Sequence, residues 1–553
     1  MNAERLLAHY ERIADAPDTI ARLRRFILDL AVRGKLVPQD PEDEPASELL
    51  KRRGISLRDT RPFDLPAQWT WVDVGAVAST RLGKMLDKLR NKGKPRRYLR
   101  NVNVRWFDFD LSDVLEMRFE DSELSEFALR SGDVLICEGG EPGRAAVWDD
   151  REGDIYFQKA LHRVRFLNCV SPSYFVKALR ASADDGRLAE YFTGTGIKHF
   201  TGRSLDSFLF PLPPLAEQQR IVAKVDELLE LCDRLEATRA DREAARDRFA
   251  AASLARLNAP DPETFRSDAG FALNALPALT ARADQIKQLR QTILNLAVRG
   301  KLVPQDPNDE PASELQCAMK QASILSGGKQ KIYPAIQESE YPFEPPPNWR
   351  WERFDNIIDP AYPIAYGVLV PGDDQPDGVP FVRIADLSIS NPPYLPEKSI
   401  SPDVAAQYER TRLKGGEILM GVVGSIGKLG LTPSSWAGAN IARAICRVVP
   451  SQLLDKRYVL WLLQSRFMQD SFLGDTRTLA QPTLNLTLIR LAMTPLPPLA
   501  EQQRIVAKVD ELMALCDQLE ASLTDADTTR RCLLDALLAE SQSPASQELE
   551  AAE

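Results

Sequence analysis

A chain of 553 residues has room for several domains of ordinary size. Its net charge of −9, with 44% hydrophobic and 27% charged residues, suits a folded soluble protein and excludes a uniformly basic nucleic-acid coat. No run approaches the ~18 apolar residues of a membrane span, and the charged opening MNAERLLAHYER has no signal-peptide core.

The first predicted element is a helix over residues 18–33, where Ile20, Leu23, Ile27 and Leu30 recur at helical spacing. Gly34 is a natural stop, and Pro38 forbids continuation. Residues 50–210 read as mixed helix and strand. LRSGDVLICEG and HRVRFL look like strands and PSYFVKALRAS like an amphipathic helix. Within this segment, residues 81–105 hold ten basic residues and one acid, Asp87, and Gly93 with Pro95 predict a loop. A charge run is often only a solvated face, but ten bases against one acid favour phosphate contact.

After the stop PLPPL, Ile221, Val225, Leu228, Cys232 and Leu235 form a heptad seam, which predicts a helix over residues 216–257. A second short helix is expected over 280–299, where Ile286, Leu289, Ile293 and Leu296 repeat the earlier spacing. Residues 316–494 are again mixed, with strands in LKGGEILMGVV and AICRVV and helix in DKRYVLWLLQSRFM. The last helix, over residues 500–540, repeats the seam in Ile505, Val509, Leu512, Cys516 and Leu519.

Two of these stretches are duplicated. Residues 27–49 match 293–315 at 21 of 23 positions, differing only at Asp29/Asn295 and Glu42/Asn308. Residues 211–237 match 495–521 at 24 of 27 positions, at an offset of 284. The segments between scarcely resemble each other, apart from LPAQWTW against PPPNWRW and LRSGDVLICEGGEPGR against LKGGEILMGVVGSIGK. Constant pieces imply a common partner or mutual packing. Divergent pieces imply two different targets. The helices at the two ends lack neighbours in sequence, and pairing them would copy the central helix pair.

P-L-P-P-L-A-E-Q-Q-R-I-V before a heptad helix, twice, with two G-K-L-V-P-Q segments, resembles the specificity subunit of type I restriction–modification enzymes over almost the whole chain. The resemblance implies an α+β fold. Two globular target recognition domains are separated by two long antiparallel conserved helices, pseudo-twofold, with the conserved regions in circular arrangement. The implied limits are an N-terminal conserved helix and Pro-rich segment at 1–50, a first recognition domain at 51–210 and a central conserved region at 211–340. A second recognition domain follows at 341–494, and a C-terminal conserved helix at 495–553 pairs with the N-terminal one. The implied function is reading the two halves of an asymmetric, bipartite double-stranded DNA site. Two adenine-N6 methyltransferase subunits dock on the conserved helices, and restriction/translocase subunits join them. S-adenosylmethionine would belong to the modification subunits and ATP with Mg to the restriction subunits. This chain would hold no cofactor, no metal and no catalytic residue, and would work in a bacterial or archaeal cytoplasm. Seven cysteines without a C-x-x-C pair fit a reducing compartment and supply no zinc framework.

In the first recognition domain the DNA-binding candidates are Lys92, Lys94, Arg96, Arg97, Tyr98, Arg100 and Asn101. Arginine can grip guanine edges or phosphates, tyrosine can stack, and asparagine can read adenine. Arg144, Gln158, Lys159, Lys198, His199 and Arg203 join them at positions the resemblance favours. Glu138 and His162 lie among these, although a hydrogen-bonded structural role suits the histidines better. In the second domain the candidates are Arg383, Ser425, Lys428, Asn440, Arg443, Arg477, Gln481 and Asn485. The seam residues Ile221, Val225, Leu228, Leu235, Ile505, Val509, Leu512 and Leu519 are the expected partner-binding stripe.

Two other readings compete. N-P-P-Y at 391–394 spells an amino-methyltransferase motif, which would make the chain an autonomous DNA methyltransferase, but no F-x-G-x-G accompanies it. A coiled-coil scaffold without sequence preference is the other. GVVGSIGKLG falls short of a phosphate loop, because five residues separate Gly421 from Gly427 and Leu429 stands where Ser or Thr is required.

Overall fold

The computed structural model describes residues 15–542 apart from 17, 57–61, 88–90, 152, 260, 262, 326–332, 335 and 474–482. It forms two compact units, residues 1–243 with 526–553, and residues 244–525.

The first unit opens with helix Thr19–Val32. Strand Thr70–Asp73 pairs antiparallel with Leu209–Leu212, so the entry and exit of a lobe are clasped together. Inside the lobe, strands Ala78–Leu82, Leu161–Phe166, Val134–Cys137 and Ala145–Val147 lie in that order in an antiparallel sheet. A three-stranded sheet has Lys94–Leu99 in the middle, antiparallel to Leu115–Phe119 and parallel to Tyr156–Phe157. Side chains alternate across a strand, and Val134–Cys137 uses both faces. Val134 and Ile136 join the core that includes helix Pro172–Asp184, while Leu135 and Cys137 join a second core with the three-stranded sheet.

In the second unit the lobe has the same topology. Arg350–Arg353 pairs with Met493–Leu496. The four-stranded sheet runs Ala365–Tyr366, Ile445–Val448, Ile418–Gly421, Leu429–Leu431, and the three-stranded sheet runs Lys398–Ile400, Val379–Val382, Asn440–Ile441. Ile418 and Met420 face one core and Leu419 another. Two segments with little shared sequence thus build one architecture, as the shared binary pattern of the glycine-turn strand allows.

The long helices are Leu215–Asn258 and Leu499–Gln542, 44 residues each. In the first unit, Thr19–Val32 packs on the first long helix: Arg24 bonds Asp233 at 2.5 Å and Glu236 at 2.7 Å, and Asp15 pairs with Arg242. The same helix meets the last turns of the second long helix through Arg22 with Asp535, and Ala16 is buried with Leu534. The second unit repeats the first contact, with Arg290 in helix Ala283–Val298 bonding Asp517 at 2.6 Å and Glu520 at 3.1 Å.

Two expectations are corrected. The basic stretch 81–105 is not one loop, because Lys94–Leu99 is a strand. Pro95 is tolerated because the parallel neighbour joins only from Tyr98, leaving that end paired on one side. The heptad seam is not an open stripe: Ile221, Val225, Ile505 and Val509 are fully buried within their own units. Leu228, Leu235, Leu512 and Leu519 are half-buried beside them. Seam spacing signals burial but does not say against which chain.

Candidate nucleic-acid interface

A duplicated joint holds each lobe to the constant helices. Glu217, in the first turn of its helix, accepts the Trp69 indole N–H at 2.9 Å and the Gln39 amide at 2.6 Å. Glu501 accepts from Trp349 at 2.8 Å and Gln305 at 2.6 Å. Beside them Gln218 takes the Ser171 backbone N–H at 2.7 Å, and Gln502 the Asp455 N–H at 3.0 Å. Arg220 reaches Asp43 and Arg504 reaches Asp309, each at 2.5 Å. The Tyr174 and Tyr458 hydroxyls each donate to a carbonyl of the Pro-rich stop, Pro211 and Pro495, at 2.8 Å. Burial pushes the Glu217 and Glu501 carboxyls up, and the indole and amide donors pull them back. Gly34 and Gly300 complete the joint. Both have positive φ, +66° and +64°, and an added Cβ would lie 2.4 Å from the Pro66 or Pro346 ring. Sequence reading passed over Trp69 and Trp349, although the echo LPAQWTW/PPPNWRW marked them.

Three turns of the first lobe meet around Gly139. Asn101 donates to its carbonyl at 3.4 Å, and Phe200 N–H donates to the Glu138 carbonyl at 2.8 Å. Thr193 and His199 exchange backbone hydrogen bonds of 2.9 Å, closing a hairpin whose tip carries exposed Lys198. Arg144 spans two of the turns, bonding the Asn101 carbonyl at 2.9 Å and Glu141 at 2.6 Å. In the second lobe Lys428 does the same for the Ile384 carbonyl at 2.8 Å, and Leu484 N–H bonds the Val422 carbonyl at 2.8 Å.

The candidates divide by what already holds them. Lys92, Lys94, Arg97, Lys159, Lys198, Arg203, Ser425 and Arg443 are exposed, and Arg96, Gln158 and His199 are half-buried. Arg100 is engaged with Asp113 at 2.7 Å and Arg383 with Glu397 at 2.7 Å, while Asn485 caps helix Leu486–Leu491 through the Thr487 N–H. Tyr98 is buried between the sheets and offers no stacking face. Asn440 is fully buried and donates to the Tyr408 carbonyl at 3.2 Å, so it cannot reach a base edge. Arg477 and Gln481 lie outside the described residues. His162 is buried, its Nε2–H donating to the Phe200 carbonyl at 2.9 Å, and burial lowers its pKa. The 391–394 motif lies in an exposed irregular stretch. Its Pro393 and Tyr394 carbonyls accept from Trp436 and Ser435, and Tyr394 is 82% exposed, the opposite of an enclosing adenine pocket.

The family model described as "Type I restriction modification DNA specificity domain" matches residues 119–242 and 372–526, just over half of the chain and one match in each lobe. The chain belongs to this specificity family. Relatives of this specificity protein include the type I restriction enzyme EcoAI specificity subunit of Escherichia coli, 28% identical over 94% of this chain and 93% of that one. The EcoEI specificity subunit of the same species is also 28% identical, over 94% and 93%. Among solved structures, the HsdS subunit from Thermoanaerobacter tengcongensis aligns with 88% of this chain and 99% of its own, at 20% identity and TM-score 0.43.

Proposed function

We propose that this specificity protein reads a split, asymmetric double-stranded DNA site, one half with each lobe, and carries no catalysis of its own. The supporting observation is the duplicated joint: Trp69–Glu217 and Trp349–Glu501 fix two lobes of one topology and different surface to copies of one helix. Identical readers would suit a palindrome, whereas unlike readers suit unlike half-sites. The exposed side chains from Lys92 to Arg97, with Lys159, Lys198, Arg203, Ser425 and Arg443, are the proposed DNA-facing set.

The methyl donor and the ATP with Mg belong, in this reading, to partner subunits that flip and methylate the adenine and translocate the duplex. With the seam residues occupied, the docking surface moves to leucines that stay exposed at matched positions of the two long helices. Leu231 and Leu515 are 40% and 48% exposed, and Leu215 and Leu499 are 36% and 39% exposed. A matched pair of surfaces suits two copies of one modification subunit. Such a chain works in the cytoplasm, where those partners meet the chromosome.

Selection of duplexes from a random pool by the chain with its modification subunits tests this. Two short conserved blocks separated by unselected positions are expected. Recovery of a random pool would leave the scaffold reading instead.

A further inference from the structure

We infer that the two lobes grip DNA unequally: the first clamps phosphates along its three-stranded sheet, and the matching sheet of the second lobe has no such clamp among the described residues. This rests on the DNA-reading function above and adds which lobe supplies the salt-sensitive affinity.

The middle strands of the two three-stranded sheets can be matched position by position. Tyr98 pairs in parallel with Tyr156, and Phe381, 283 positions after Tyr98, pairs in parallel with Asn440, 284 positions after Tyr156. On that alignment Arg97 is matched by Pro380, Arg96 by Val379 and Lys94 by Asp377. The stretch P-G-D-D-Q-P-D-G at 371–378 contains three aspartates and no basic residue, whereas the matched stretch K-L-R-N-K-G-K-P at 88–95 of the first lobe contains four bases and no acid.

Intramolecular pairing sharpens the contrast. In the first lobe several charges are already balanced: Lys84 pairs with Glu123, Arg81 with Glu126 and Arg100 with Asp113, and Glu116 faces Arg97 across the ladder. Lys92, Lys94 and Arg118 are exposed, and no ion pair engages them among the described residues. They are held in place. Gly93, at φ +89°, sits so close to the neighbouring strand that an added Cβ would lie 1.9 Å from the Phe119 carbonyl oxygen, and Arg118 donates to the Gly93 carbonyl at 2.9 Å. A glycine turn and a cross-strand bond thus fix the backbone that carries three uncompensated cations at one end of the paired strands, with Lys94 and Arg118 on opposite faces. In the second lobe Lys398 is paired with Asp374 at 2.8 Å and Arg383 with Glu397 at 2.7 Å, and Asp373 and Asp377 are exposed. Phosphate would be repelled there.

The test is a salt titration of the full-length chain on a random-sequence duplex, read as the slope of log affinity against log salt. Each phosphate contact contributes about 0.9 to the slope. The triple variant Lys92→Gln, Lys94→Gln, Arg118→Gln should lose about two to three units. Lys398→Gln in the second lobe should leave the slope unchanged. The single variant Lys94→Gln, which keeps the cross-strand bond, should lose about one unit and covers the case in which the triple variant misfolds. An unchanged slope in Lys94→Gln, or a loss from Lys398→Gln as large as that from Lys94→Gln, would overturn the inference while leaving DNA reading intact. Failure of the wild-type chain to bind any duplex at low salt would instead overturn the DNA-reading function itself.

Discussion

Trp69 donates its indole N–H to Glu217 across 148 residues of sequence, at 2.9 Å and with both side chains buried. The carboxylate lies at a helix N-terminus, where negative charge is favoured, and its indole partner stands just before the strand that opens the lobe. Removing it strands a buried donor, which costs about 1–3 kcal/mol. Glu217→Ala is therefore expected to lower the first unit's unfolding midpoint in urea, and Glu501→Ala the second's by a similar amount. Limited proteolysis of each variant should open only the lobe beside the changed residue.

Asn295 and Asp29 stand at one of the two positions where the repeated 23-residue segments differ, and the structure gives a reason. The Asn295 amide donates to the backbone carbonyl of Asn258, the last residue of the first long helix, at 2.9 Å and to its side chain at 3.1 Å. Asn295 Oδ1 also accepts from Arg299 at 3.3 Å, as Asp29 does from Arg33 at 2.7 Å, so the two positions differ in the amide donor. An aspartate at 295 cannot donate and would place negative charge at a helix C-terminus, a loss of about 1–2 kcal/mol. Asn295→Asp should show that loss in thermal unfolding. Asp29→Asn, which keeps an acceptor for Arg33, should cost much less.

His162 makes the first lobe sensitive to mild acid. Burial depresses its pKa below the usual 6.5, so the unfolded chain binds the proton more readily than the folded one. The stability it contributes is fully present above about pH 6.5 and is lost as pH falls through the depressed folded value. Cys446 occupies the matched place in the second lobe, its thiol pushed up to about 12 by burial, and does not titrate in this range. Urea unfolding at pH 7.5 and pH 5 should show the first lobe losing more stability than the second. His162→Gln should reduce that loss.

Leu231 and Leu515 carry the partner prediction. Placing aspartate on one exposed docking leucine should remove one of two modification subunits, because an unpaired charge buried in an interface costs several kcal/mol. Native mass spectrometry of the assembled complex should read two partner copies with the unaltered chain, one with Leu231→Asp or Leu515→Asp, and none with both.

The long helices were legible because one pattern, apolar side chains at heptad spacing between a Pro-rich stop and a glycine, is local and appears twice. Predicted limits of 216–257 and 500–540 became Leu215–Asn258 and Leu499–Gln542. What the seam packs against was not legible. Burial of Ile221 and Ile505 depends on lobes and helices distant in sequence. Single strands in the lobes were readable from their glycine turns, but their common topology was not, since pairing is set by long-range contacts. The candidate site failed where side chains alternate. Tyr98 looked available beside Arg97, yet neighbours on a strand face opposite sides, and Tyr98 faces the core. Asn440 was lost for a different reason, because both residues of its short strand are buried. Arg144 and Lys428 looked like free cations, but each already spans two turns.

The central claim is that each lobe reads its own half of one split site. Mapping methylated adenines in the genome of cells that carry this chain, before and after exchanging residues 51–210 for those of a relative, tests it most directly. One bipartite motif is predicted, with one half altered by the exchange and the other half retained. A contiguous motif, or simultaneous change of both halves, would contradict it.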